Sequence, residues 1–91
     1  MPYIKAEDRP QVDGLMDPVI DHIKSLPVEE QDGILNYVFT RMLKSVYPSR
    51  YFHFNRALGV LTAVTQEYYR VVVGPYEEGK IRENGQVVPR R

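Results

Sequence analysis

The sequence predicts an all-α protein, a compact domain of three to four helices, and two observations carry that reading. Apolar residues recur at steps of three and four along most of the chain, the spacing that lays one stripe down a helix. Prolines and glycines punctuate those stripes into helix-length pieces. Ninety-one residues are enough for one domain and too few for two, because so short a chain must gather its apolar surface into one core. Residues 1–91 are therefore expected to form a single helical domain, with short extended termini at about 1–7 and 86–91.

The first helix is predicted at about 9–25, from Val12, Leu15, Met16, Val19, Ile20, Ile23 and Leu26. Asp8 is a candidate N-cap, and Pro10 falls in the first turn, where a missing N–H costs little. Gly14 and Pro18 are flaws in this element. An interior proline removes a hydrogen bond and its ring collides with the preceding turn, so a kink is expected, or a restart with Asp17 as a second cap. Leu26-Pro27 ends the helix. A second helix comes next at about 28–46, with Glu29 and Glu30 in a first turn whose dipole favours acids. Its stripe is Ile34, Leu35, Val38, Met42, Leu43 and Val46.

Tyr47-Pro48-Ser49 reads as a turn, and Ser49 as a cap for a third helix at about 50–73. There Tyr51, Phe54, Leu58, Leu61, Tyr68 and Val72 alternate steps of three and four, with Thr65 completing the series, a heptad-like seam over about 22 residues. Gly59 lies beside it, where a missing side chain would let another helix approach closely. Gly74-Pro75 is expected to stop or sharply bend this helix, and a short fourth one at about 76–84 is closed by Gly85. Tyr3-Ile4 and Val87-Val88 could pair as a minimal two-strand ribbon. The second and third helices are expected to form an antiparallel hairpin with the first packed across it.

Composition narrows the function classes. Apolar residues make up 43 % and charged residues 26 %, the balance of a chain that folds. With no cysteine there is neither a disulfide framework nor a thiolate metal site, which fits a cytoplasmic setting. Met1-Pro2-Tyr3-Ile4-Lys5 lacks the apolar run of a signal peptide, and no stretch approaches the roughly 18 apolar residues that span a bilayer, so neither export nor a membrane is expected. The 12 bases equal the 12 acids, yet they are unevenly spread. Residues 1–32 hold eight acids against three bases, a net of −5, and residues 33–76 hold five bases against Glu67 alone, a net of +4. Either the halves attract one another within a fold or a dimer, or the basic part faces an anionic ligand. The first needs no unseen partner and is preferred.

No local pattern carries catalysis or a cofactor. His22 and His53 are the only imidazoles and lie apart from any serine-acid arrangement, and no Gly-rich phosphate loop is present. Asp13, Asp17 and Asp21 recur every four residues, which reads first as the solvated side of the first helix and only second as part of a cation site. A metal-dependent nucleotide pyrophosphohydrolase would need two pairs of acids on facing helices. Only Glu29 and Asp32 have that spacing, because Glu67/Arg70 and Glu77/Lys80 put a base where the second acid belongs. No catalytic, metal or cofactor residue is assigned.

Two clusters remain as ligand or interface candidates. The segment 41–56 interleaves Arg41, Lys44, Arg50 and Arg56 with aromatics including Tyr51, has Asn55 among them, and contains no acid. Arginine and lysine neutralise phosphates while aromatic faces stack on bases, so this is the composition of a nucleotide or single-stranded nucleic-acid contact. Ordinary structure accounts for it too, since bases late in the second helix complement its dipole. The other cluster is Glu67, Tyr69 and Arg70, with Tyr76 beyond, where Glu67 and Arg70 can pair three residues apart. Were these groups to meet Asn36, Tyr37 or Arg41 of the second helix, they would form a buried polar network.

The ordered residues Met1-Pro2-Tyr3-Ile4, Glu30-Gln31-Asp32-Gly33, Leu35-Asn36-Tyr37, Thr40-Arg41, Asn55-Arg56-Ala57, Gly59, Leu61, Glu67, Tyr69-Arg70, Pro75-Tyr76-Glu77 and Asn84-Gly85 resemble an uncharacterised family. Its members are bacterial and phage proteins of roughly 90 residues, beginning Met-Pro-Tyr-Ile and known as a domain of unknown function. The chain carries Val71 and Gln86 where members tend to carry a second arginine and an acid. The resemblance implies no activity. The leading expectation is a non-enzymatic, self-associating interaction or scaffold protein, most simply a dimer through the third-helix seam. The alternative is a nucleotide or single-stranded nucleic-acid binding module using segment 41–56.

Overall fold

Every regular element in the computed structural model, which describes residues 4–85, is helical, as the apolar spacing predicts. The elements fall into two units, one reaching to Arg50 and one starting at Tyr51. The ribbon expected between Tyr3-Ile4 and Val87-Val88 falls largely outside the described residues.

The first unit holds α1, Arg9–Lys24, and α2, Val28–Val46. A 3-10 turn, Ala6–Asp8, leads into α1, and Asp8 does not act as the cap expected of it. Its backbone is already helical, at φ −91° and ψ −11°, whereas a capping residue is extended so that its side chain can reach the first free amides. Its N–H donates instead to Lys5 O at 3.0 Å, and the Arg9 Nε–H donates to Ile4 O at 3.2 Å.

α1 continues through Pro18 with no restart at Asp17. The carbonyl that a proline at 18 leaves without a donor is that of Gly14, four residues back. Gly14 is exposed and has open space where a Cβ would stand, so water can take the bond that the chain cannot.

Between α1 and α2 the turn is closed by short-range hydrogen bonds. The Ser25 N–H is shared between Asp21 O and His22 O, and the Gln31 Nε2 amide reaches back to Leu26 O at 3.1 Å. Around this turn the two helices touch, and Ile23, 8 % exposed, is the one buried residue among those described. Leu26, Gln31, Ile34 and Leu35 beside it are half-buried. Further out the stripes are open: Leu15, Val19 and Ile20 of α1 and Met42 and Val46 of α2 are exposed.

The second unit is one uninterrupted helical run made of α3, Tyr51–Tyr68, a π turn, Tyr69–Val73, and α4, Gly74–Asn84. Gly74-Pro75 therefore does not stop the third helix, the first of the two outcomes the sequence suggests. Pro75 has no N–H, and in α register its ring would collide with the carbonyl of Val71. The chain widens instead, so that the Gly74 N–H bonds Tyr69 O, five residues back. Glycine permits this closure, since a Cβ at position 74 would stand 3.1 Å from that same oxygen. Gly85 ends α4 as predicted, with φ +83° and its N–H on Ile81 O at 2.8 Å. Within this unit α3 packs chiefly against the adjoining π turn.

An unbroken α1 that carries a helix-interior proline has an unused margin. Pro18→Ala restores the hydrogen bond to Gly14 and is expected to stabilise the protein by up to about 3 kcal/mol, read as a higher urea midpoint by circular dichroism. An unchanged or lower midpoint would show that the helix draws on the proline's fixed φ.

Candidate functional site

The candidate residues are divided between the two units. Asn36, Tyr37, Arg41, Lys44 and Arg50 lie in the first, and Tyr51, Asn55, Arg56, Glu67, Tyr69, Arg70 and Tyr76 in the second. All are exposed except Glu67, which is half-buried, and among the described residues no polar side chain is buried.

On α2 the positions of Tyr37, Arg41 and Lys44 fall four and three residues apart, in one row along the helix. Asn36 accepts a hydrogen bond from Thr40 Oγ1 at 3.4 Å on the neighbouring row. Among the described residues no carboxylate stands within ion-pair distance of Arg41, Lys44 or Arg50.

On α3 the first turns assemble a small aromatic and basic cluster. An Arg56 Nη1–H lies 2.8 Å from His53 Nδ1, and because a guanidinium has only donors, that ring nitrogen is the acceptor. Phe52 meets the His53 ring edge to face, with centroids 5.2 Å apart, and the Arg56 guanidinium stands 6.0 Å from the Phe52 centroid. The Glu67–Arg70 pair that the spacing suggests is made, at 2.7 Å, but both side chains remain largely in solvent and it contributes at most tenths of a kcal/mol.

The π turn builds a feature that composition and spacing do not reveal. Tyr69 donates its phenol O–H to a Glu77 carboxylate oxygen, eight residues on, and the pair borders an open hollow of about 540 Å³ also lined by Gly74, Pro75, Glu78 and Ile81. Lys80 stands over the Tyr76 ring at 5.6 Å and pairs with Glu83 at 3.4 Å on the next turn. The hydrogen bond to Glu77 and its negative charge push the Tyr69 phenol above its ordinary value of about 10, with smaller contributions from desolvation and the Glu78 charge. The one signal of this arrangement in the sequence is Gly74-Pro75 set inside an otherwise helical pattern.

Among the described residues no group of three His, Cys, Asp or Glu is placed to hold a metal ion, and Asp13, Asp17 and Asp21 simply share the outer side of α1. No helix among them is long and apolar enough to cross a membrane. The described residues define a small all-α protein in which no charged or aromatic residue is buried. The chain belongs to a family described as a domain of unknown function (DUF6899), whose model matches residues 1–87. Comparison with curated proteins and with solved structures gives no match.

The Tyr69–Glu77 bond has a pH signature. A phenol raised in the folded state contributes stability that is fully present below about pH 10 and is lost as pH rises through the folded value. Glu77→Gln is therefore expected to lower the Tyr69 ionisation midpoint in a spectrophotometric titration, with Tyr69→Phe identifying the signal. A midpoint unmoved by Glu77→Gln would show that the bond does not form in solution.

Proposed function

We propose that this chain is a non-enzymatic, self-associating interaction protein whose helices complete their core on a second copy. One observation supports the reading above others: among the described residues only Ile23 is buried, while large apolar residues on α1, α2 and α3 stand exposed. Burying a leucine, valine or phenylalanine side chain is worth about 1.5–3 kcal/mol, and contiguous apolar surface of this kind marks protein interfaces. A domain this small has little margin to leave that energy unused. A dimer is the smallest assembly that meets the requirement, and the cysteine-free composition agrees with a cytoplasmic site of action.

A second reading has an observation of its own. The row Tyr37, Arg41 and Lys44 on α2 combines an aromatic face with two cations that have no carboxylate within ion-pair distance among the described residues. That chemistry suits the phosphates and bases of a nucleotide or single-stranded nucleic acid.

Sedimentation equilibrium at low and high salt separates the two. Self-association by apolar surface predicts twice the chain mass at both ionic strengths, and a monomer throughout would refute it. Nucleic-acid binding predicts that a fluorescent oligonucleotide is held at low salt and released steeply as salt rises, with a shallower salt dependence in Arg41→Ala. Equal retention by Arg41→Ala and Lys44→Ala would remove the second reading.

A further inference from the structure

The α3 face offers more than an unspecific apolar surface, because its sequence register can be read position by position. Tyr51, Phe54, Leu58, Leu61, Thr65 and Tyr68 form the seam, and all six lie in the regular α-helix that ends before the π turn. Ala57 and Val64 flank it on one side and Asn55 and Thr62 on the other, so no charged residue borders it within α3. Arg56 and Glu67 stand on the outer side of the helix, away from the seam.

Apart from the tyrosine hydroxyls at its two ends, the one polar group of the seam is already satisfied. Thr65 Oγ1 donates to Leu61 O at 3.0 Å, and the bordering Thr62 Oγ1 donates to Leu58 O at 3.1 Å. With both hydroxyls returned to their own helix, an apolar neighbour can cover Thr65 without orphaning a polar group. Tyr51, Phe54, Leu58, Leu61, Val64 and Tyr68 are between 36 and 79 % exposed. Side chains of this size present on the order of 600 Å² per copy, so two copies reach the lower end of what a stable dimer buries, about 1,200 Å².

We infer that α3 pairs with α3 of a second copy in antiparallel orientation, with Leu58 and Leu61 at the two-fold centre; this rests on the self-association proposed above. In an antiparallel seam the two kinds of core position face each other. Leu58 then meets the second copy's Leu61, Phe54 meets Thr65, and Tyr51 meets Tyr68. Large side chains oppose small ones or stack in aromatic pairs at the two ends, where the tyrosine hydroxyls stay in water. The helix dipoles oppose one another only in the antiparallel form.

Because the chain has no cysteine, single substitutions report the orientation cleanly. Tyr51 and Tyr68 are 17 residues apart, about 26 Å along the helix and far beyond the reach of a disulfide. Under mild oxidation Tyr51→Cys alone and Tyr68→Cys alone are expected to stay unlinked, and an equimolar mixture to form a covalent dimer. Ala57→Cys mixed with Val64→Cys repeats the test without disturbing the seam. Each variant linking only to itself would overturn the antiparallel arrangement and leave self-association standing. A dimer by sedimentation that links in neither mixture would place the contact on another face and overturn the inference alone. A monomer by sedimentation would overturn both the inference and the reading on which it rests.

Discussion

A single amphipathic helix draws most of its stability in water from burying one face, since helix propensity alone leaves pieces of this length marginal. That constraint governs this molecule. α1 and α2 meet it only around the turn that joins them, where Ile23 is enclosed and Leu26, Ile34 and Leu35 are partly covered. α3 carries the most regular apolar seam in the chain, yet Tyr51, Phe54, Leu58, Leu61 and Tyr68 of that seam stand exposed. Among the described residues no polar side chain is buried, and the Glu67–Arg70 and Arg56–His53 contacts each span three residues of one helical run.

The irregular positions preserve helix length. Pro18 is tolerated because the carbonyl it orphans belongs to an exposed glycine, and Pro75 because the chain widens into a π turn that Gly74 can close. Each device keeps the helical run continuous where a proline would otherwise divide it. Across the wide turn Tyr69 donates its phenol O–H to Glu77.

Much of this is legible in the amino-acid sequence, and the exceptions have physical causes. The spacing of Ile34, Leu35, Val38, Met42 and Val46 places α2 to the residue, and Gly85 marks the end of α4. The sequence reads Gly74-Pro75 as a stop or sharp bend because a missing N–H and a ring clash are visible in it, while the i to i−5 register that avoids both is not. Asp8 fails as a cap for a related reason: its side chain suits the role, but the 3-10 turn before it fixes its backbone in the helical region. Of the candidate residues, the Glu67–Arg70 pair is evident from a spacing of three, whereas Tyr69–Glu77 lies eight apart and needs the altered turn.

The central claim is that the exposed faces are completed by a second copy of the chain, and thermal unfolding monitored by circular dichroism over a hundredfold range of protein concentration tests it most directly. Folding coupled to dimer formation predicts a midpoint that rises with concentration, since a hundredfold change is worth about 2.7 kcal/mol per dimer and shifts the joint unfolding of two chains of this size by roughly 5–10 °C. A midpoint that stays fixed across the whole range would contradict the account and show that one chain covers its own apolar faces.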